Sequence, residues 1–387
     1  MSKTTDSTQT DELLEIQNLR KVYPDGTVAV DDISFTADRG EFCVLIGPSG
    51  CGKSTTLHSI VGKFPITDGE ILLNGIDISD TKTYERDIGL VFQDFQLFPH
   101  LSVEENIRYG LNSVHVPEEE AQSLIAEATN IMNLQGQLDR SPDELSAGQK
   151  QRVALARSLV LEPEIILLDE PLGDMDYKLQ KRMERELLRI HNQLNTTFIY
   201  VTHDQNQAMR LADKIVVMNQ GKIEQSASVK KVYNEPKTAF VAAFVGDSNI
   251  FTGEVTGVYQ ERSAVEITTS IGEFTVSTFN YDGSPNDLVG ESASFSVRPH
   301  NMRIGKDETN TMSCRVKDIM DKPGVGSQLL LESPLENHSI DIQVRLNEHV
   351  KLDRETVDIS WDFKDTLLLT QDSVLPEIDL QEDILGE

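Results

Sequence analysis

The sequence predicts an α/β fold built on a parallel sheet, followed by a separate all-β domain. Three observations predict it. The runs "FCVLIG" (42–47), "EIILLDEP" (164–171) and "TFIYVTHD" (197–204) are continuously apolar, as suits strands covered on both faces of a parallel sheet. Between the last two, Leu179, Met183, Leu187, Ile190 and Leu194 recur at three- and four-residue spacing, which predicts an amphipathic helix and hence a strand-helix-strand unit. Beyond about Gly246 the pattern turns to short β-like runs with Gly, Asn and Asp between them, as in a small barrel or sandwich.

Along the chain, residues 1–12 ("MSKTTDSTQTDE") are polar, lack an apolar h-region and are expected to form a flexible tail. "LLEIQNLRKVY" and "VAVDDISFTADRGEFCVLIG" alternate apolar and polar residues around Asp25-Gly26 and Arg39-Gly40, which predicts strands joined by turns. From Pro117 to Leu138 the composition becomes helical and charged, with Ala121, Leu124, Ile125, Ala128 and Met132 as an apolar stripe. A helical region inserted at about 95–162 into a domain of residues 13–246 is therefore expected. The runs "IFTGEVTGVY", "SAVEITT", "EFTVSTF", "SASFSVRP", "SCRVKDIM", "QLLLES", "SIDIQVRL" and "TVDISW" assign 247–371 to the β domain, and 372–387, which holds no basic residue, to an acidic tail.

A chain of 387 residues suits two or three domains, each able to bury its own core. Cys43, Cys51 and Cys314 form no closely spaced pair, so a reducing compartment is expected, with neither a disulfide nor structural zinc. With no run of about eighteen apolar residues, the chain is expected not to cross a membrane by itself; any membrane role comes through a partner. The net charge is −29: residues 247–387 carry 27 acidic against 11 basic side chains, leaving 37 against 24 for residues 1–246. Such a field repels nucleic acid and anionic lipid, and suits solubility in a very salty, halophilic cytoplasm where salt screens self-repulsion.

"GPSGCGKS" (Gly47 to Ser54) matches G-x-x-x-x-G-K-[ST] between a buried-strand run and the helix-like "TTLHSIVG". Glycines let backbone N–H groups face phosphate oxygens, and the helix N-terminus adds the positive end of its dipole. Lys53 then reaches the β and γ phosphates and the Ser54 hydroxyl ligates Mg²⁺. In "IILLDEP", Asp169 ends a buried strand where open α/β sheets place ligands and can hold Mg²⁺ or its water. Glu170 follows and can polarise an attacking water as general base.

With these motifs, "VFQ" (91–93), "LSAGQ" (145–149) and "VTHD" (201–204) complete an ordered set that resembles the nucleotide-binding subunit of ATP-binding cassette (ABC) transporters, a P-loop NTPase fold with an antiparallel β subdomain and an inserted helical subdomain. The resemblance runs from about residue 13 to residue 370. It implies ATP bound by Gly47, Pro48, Ser49, Gly50, Cys51, Gly52, Lys53, Ser54 and Thr55, with Tyr23 stacking on adenine. It implies that Gln93 touches Mg²⁺ and the attacking water and signals to a membrane partner, and that His203 bonds the γ-phosphate. It makes Leu145, Ser146, Ala147, Gly148 and Gln149 a signature that binds the γ-phosphate held by a second ATPase subunit, so a homodimer or heterodimer is implied.

The family pattern is LSGGQ, and an alanine at 147 cannot adopt positive φ cheaply, so Ser146 and Gly148 are expected to be the chief donors. In "PLGDMD", Asp176 resembles the D-loop carboxylate that couples the two sites, while Asp174 and Met175 depart from the pattern. "FQLFPHLSVEENI" resembles the groove that receives a coupling helix, with Phe95, Leu97, Phe98 and Leu101 as an apolar cluster. "FVAAFVGDSNIFTGEV", "SVRPHNMRI" and "VDISWDFKDTLLL" resemble the OB-like TOBE domain of importer ATPases. That implies two membrane permease subunits, an extracellular solute-binding protein and a peripheral place on the cytoplasmic face of the membrane. "TFIYVTHDQ" and "MNQGKIEQ" look closest to the spermidine/putrescine group, ahead of sugar, ferric iron or oxyanion importers. The rivals are a cytosolic ABC ATPase of DNA repair or translation and a regulatory module. A single cassette and the acidic charge disfavour the first; the presence of Lys53, Asp169, Glu170 and His203 disfavours the second.

Overall fold

The computed structural model describes residues 12–369 except Asp174, Asn195, Asp282, Pro323, 334–339, Lys351 and Asp353; of the expected tails, 1–12 and 372–387, all but Glu12, which begins the first strand, lie outside the described residues. The chain forms two compact units, one ending at Val229 and the other starting at Lys230.

In the first unit, β1 (Glu12–Val22) and β2 (Val28–Asp38) form an antiparallel pair, and the chain then enters β3 (Phe42–Ile46) and α1 (Lys53–Ile60). β4 (Asp68–Leu73) and β5 (Ile76–Asp77) return to complete a four-stranded sheet of order β2-β1-β4-β5. Next come β6 (Ile88–Val91), the helices α2 (Val103–Ser113), α3 (Glu118–Ile131) and α4 (Ala147–Leu159), and β7 (Ile165–Asp169). Of these helices α3 occupies the interval where the composition turns helical, and Ala121, Ile125, Ala128 and Met132 of the expected stripe are buried. α5 (Tyr177–Leu194), β8 (Thr197–Thr202), α6 (Gln205–Leu211), β9 (Lys214–Asn219) and β10 (Lys222–Ser228) finish the unit. The second sheet has the order β10-β9-β3-β8-β7-β6, parallel throughout except for β10.

Both faces of this sheet are covered, as continuous apolar runs require. Cys43, Leu45, Ile165, Leu167, Ile199 and Val201 face the core shared with β1 and β2. The alternate residues Phe42, Phe198 and Tyr200 form an aromatic group with His191 of α5, at ring separations of 5.1 to 6.1 Å. Each such fully buried side chain contributes roughly 1.5–3 kcal/mol. The parallel register brings Ile46 opposite Thr202 and Asp169 opposite Val201. The residues that follow β3, β7 and β8 therefore emerge at one edge.

In the second unit, α7 (Val229–Asn234) and α8 (Ala239–Phe244) lead into β11 (Asn249–Tyr259), β12 (Ala264–Thr269), β13 (Gly272–Ser277) and β14 (Ser292–Val297). β15 (Arg303–Ile304), β16 (Asn310–Lys322), β17 (Gly326–Glu332), β18 (Asp341–Leu346), β19 (Thr356–Trp361) and β20 (Thr366–Leu369) follow. They make two five-stranded antiparallel sheets, β13-β12-β11-β14-β20 and β15-β19-β16-β17-β18. Phe251, Phe274, Phe295 and Trp361 fill the shared core, with the Phe251 and Trp361 rings stacked at 5.8 Å. Change of pattern at about 246 marks where β structure begins, whereas the preceding segment is tied to the β unit by Arg298. Its guanidinium donates to the carbonyls of Tyr233, Ala242, Gly246 and Asp247 at 2.6 to 3.1 Å and lies 4.3 Å over the Tyr233 ring.

Candidate functional site

The site grows from the edge at which β3, β7 and β8 end. After Ile46 the chain turns through Gly47 to Gly52, whose φ of 105° makes it the N-cap of α1 without any side-chain cap. No acidic residue occupies the first turn, so the helix N–H groups and dipole are available to an anion. Gly47 is required sterically: a Cβ there would lie 2.2 Å from Met218 O and 2.6 Å from Cys51 Sγ. Lys53, almost fully buried, donates to Gly47 O at 2.7 Å and Pro48 O at 2.9 Å, so the loop's own carbonyls aim its ammonium. Burial pushes the Cys51 thiol pKa up against the pull of Lys53, which keeps it protonated.

Ser54 and Asp169, 115 residues apart, meet here: Ser54 Oγ donates to Asp169 Oδ1 at 3.1 Å. Two oxygen ligands at 2.0–2.1 Å in adjacent octahedral positions stand about 3 Å apart, so this hydroxyl and carboxylate fit Mg²⁺. The other Asp169 oxygen lies 3.5 Å from His58 Nε2. Burial, reinforced by Lys63, lowers the pKa of His58, while Asp169 opposes the shift. His58 carried no sequence signal; only the fold brings the side of α1 to the end of β7.

Glu170 and His203 also converge. His203 Nδ1 lies 2.9 Å from Glu170 Oε2, with the imidazole largely exposed and the carboxylate partly buried. Glu170 has φ 44°, a left-handed backbone in a non-glycine residue, which costs of order 1–3 kcal/mol and turns the carboxylate away from the β7 direction. Its N–H still donates to Val201 O at 3.1 Å, which seats the strained residue on β8. Sequence reading identified the residue but not its strain. Gln93 reaches the same place: a Cβ on Gly173 would lie 3.5 Å from Gln93 Nε2 and 3.8 Å from Glu170 Oε2. Gly173 thus leaves room for both side chains, a role the sequence reading did not assign.

Tyr23 donates to or accepts from Thr55 Oγ1 at 3.2 Å, with its ring edge-on to Phe64 and Lys21 Nζ 5.4 Å above it. It stands beside the loop. Asp176 serves its own helix, accepting at Oδ1 from Lys178 N and Leu179 N at 3.1 Å, so this carboxylate caps α5; Asp174 lies outside the described residues. Phe95, Leu97, Phe98 and Leu101 are each half-buried.

The "LSAGQ" stretch forms the start of α4. Ser146 is the N-cap, accepting from Gln149 N, and Gln149 Oε1 accepts from Ser146 N at 2.9 Å, a capping box that the S-x-x-Q spacing announces. Ala147 is the first helical residue and its φ is not positive, so the expected backbone cost does not arise. Gly148 is buried and a Cβ there would lie 3.2 Å from Met183 Sδ, so this glycine lets α4 approach α5. Ala147→Gly is therefore expected to leave ATP turnover within about twofold and to lower stability by at most about 1 kcal/mol. A several-fold gain in turnover would show instead that the methyl group obstructs the site.

Among the described residues no helix is long and apolar enough to cross a membrane. A family model described as "ABC transporter" matches residues 30–173. The spermidine/putrescine import ATP-binding protein of Rubrobacter xylanophilus is 38% identical over 364 residues, 92% of this chain and 93% of that relative. The protein of the same name from Clostridium novyi is 47% identical over 241 residues, 62% of this chain and 69% of its own length. Among solved structures, a component of a Clostridium perfringens ABC transporter complex superposes with TM-score 0.54 at 32% identity, covering 57% of this chain and 90% of that one. A dimeric ATP-binding cassette in a post-hydrolysis state with ADP and Pi superposes with TM-score 0.50 at 30% identity, covering 56% of this chain and 99% of that one.

Proposed function

Because this chain belongs to the ABC transporter ATP-binding family, we propose that it is the ATP-hydrolysing subunit of a polyamine importer. The observation that carries the hydrolytic reading is the meeting of Ser54 with Asp169 and of His203 with Glu170 beside the phosphate loop. In this reading Gly47–Thr55 wrap the phosphates, and Lys53 places its charge on the β and γ groups. Ser54, Asp169 and Gln93 would hold Mg²⁺, which neutralises phosphate charge when bound. A water lying between Glu170 and the γ-phosphorus attacks in line. Its proton passes to the Glu170 carboxylate as the bond to the β–γ bridging oxygen breaks, and ADP departs. With the proton on Nδ1, His203 donates to Glu170 and holds the carboxylate in place.

The signature of one subunit would close on the phosphates of another, so ATP acts as a ligand that favours the paired state and hydrolysis removes that bias. The β unit is proposed to be a TOBE domain. Two membrane permease subunits and an extracellular solute-binding protein complete the assembly, with this chain peripheral at the cytoplasmic face. The polyamine assignment draws on the names of the relatives, and the charge of −29 suits a salty cytoplasm.

The test is reconstitution with the permease subunits and the solute-binding protein. Spermidine- or putrescine-loaded binding protein is expected to stimulate Mg-ATP turnover several-fold, roughly the 1–3 kcal/mol typical of coupling between sites. Stimulation by a sugar, ferric iron or an oxyanion instead would overturn the cargo and leave the ATPase reading intact.

A further inference from the structure

Hydrolysis does not account for a left-handed pair of residues just after Gln93. Phe95 and Gln96 have φ of 60° and 42°, consecutive non-glycine residues in a region that bulky side chains avoid. The turn presenting Gln93 closes with Phe95 N–H donating to Phe92 O at 3.0 Å, and Gln96 N–H at once donates to Asp94 O at 2.7 Å. The carbonyls of the pair are taken by one side chain from the last turn of α4. Arg157 Nη2 donates to Phe95 O at 3.0 Å and Nη1 to Gln96 O at 2.7 Å.

The guanidinium is held in place in turn. It lies 5.4 Å over the Phe98 ring, which packs 4.4 Å from the Tyr109 ring of α2. The fully buried Asn106 fixes the Phe98 backbone at both N–H and C=O. Burial lowers the pKa of Arg157, and among the described residues it forms no ion pair with a carboxylate. The loop backbone is what this cation binds. The planar fork gives each of the two adjacent carbonyls its own N–H in a fixed geometry, which a lysine ammonium on its flexible stem holds less firmly.

We infer that Arg157 is a positioning residue for hydrolysis, a two-pronged latch that holds the Phe95–Gln96 carbonyls and, through the turn at 92–95, sets the Gln93 amide beside Glu170. The latch sits on the same helix whose N-cap is Ser146, eleven residues or about 17 Å away. A shift of the signature end is thereby delivered to the Gln93 loop. The inference rests on the reading of Gln93 and Glu170 as parts of the hydrolytic site.

In the full chain, Arg157→Met is expected to lower kcat for Mg-ATP roughly ten- to a hundredfold, the effect of displacing a reacting group by up to an ångström. ATP affinity is expected to change less than about twofold, while amide exchange at 93–97 accelerates. Arg157→Lys is expected to restore little. Adding Gln96→Gly to Arg157→Met is expected to recover part of kcat and of the exchange protection, since glycine holds a positive φ without help and the Gln96 side chain is exposed. Full kcat in Arg157→Met, full replacement by lysine, no recovery with Gln96→Gly, or an equal loss of kcat, affinity and melting temperature would each overturn the inference. Glu170→Gln measured alongside separates the two readings. If it retains turnover, the site assignment fails and this inference with it; if it abolishes turnover while Arg157→Met does not, only the role of Arg157 fails.

Discussion

Glu170→Gln is expected to slow ATP turnover by about 10²–10⁴-fold, the usual contribution of a general base, while ATP still binds. The substitution keeps size and shape and removes only the ability to take a proton. Glutamine adopts a left-handed backbone no worse than glutamate, so φ at 170 can stay near 44° and the N–H bond to Val201 O survives. His203 still has a partner in the amide. Nothing in Gly47 to Thr55 changes, so affinity for ATP should match the parent. With hydrolysis blocked, the ATP-bound pair persists, and size-exclusion chromatography in ATP should show a dimer. Because each copy carries −29, the dimer should be favoured by salt, which screens repulsion between the copies. Turnover above about a tenth of the parent would sink the base assignment, since among the described residues Glu170 is the one carboxylate paired with His203.

The second large effect falls on binding. In Gly47→Ala the new Cβ would lie 2.2 Å from a backbone oxygen of Met218 on β9 and 2.6 Å from Cys51 Sγ. No rotamer relieves a clash with backbone, so either the loop moves off the sheet or β9 separates from β3. Loss of ATP affinity of roughly a hundredfold is expected, because a displacement near 1 Å is enough to misdirect the N–H groups. Gly50→Ala is the control. Its φ is 79°, but a Cβ there meets nothing within 4 Å, so only the left-handed backbone is penalised, by about 1–2 kcal/mol. Titration with a fluorescent ATP analogue reads both. Equal affinities for the two variants would show that close seating on β9 does not govern the loop.

The strands and motifs were legible because they depend on neighbours in sequence. "FCVLIG" reads as a strand covered on both faces from its own composition, and "GPSGCGKS" states its loop and helix in eight residues. What escaped depends on distance or on a dihedral angle. His58 meets Asp169 and Arg157 meets Phe95 only because parallel strands far apart in sequence lie side by side. Glu170 looks like any carboxylate at a strand end until its φ is known, since glutamate carries no left-handed signal as glycine or asparagine would. Gly173 and Gly148 were readable as glycines but not as close approaches, which only packing against Gln93 or Met183 reveals. Two signals were present and unused: S-x-x-Q at 146–149 and aspartate before a helix at 176 both mark N-caps.

Strand order also bears on synthesis. β3, which carries the phosphate loop, is among the first segments made, yet its partners in the sheet are β8 and β9, which run from Thr197 to Asn219. The carbonyl that seats Gly47 belongs to Met218. A ribosome adding about 5–20 residues per second therefore exposes the loop many seconds before it supplies the frame. In that interval the nascent chain has the written motif without the cradle, and a chain ended before Thr197 would spell "GPSGCGKS" with neither strand partner of β3 to hold it.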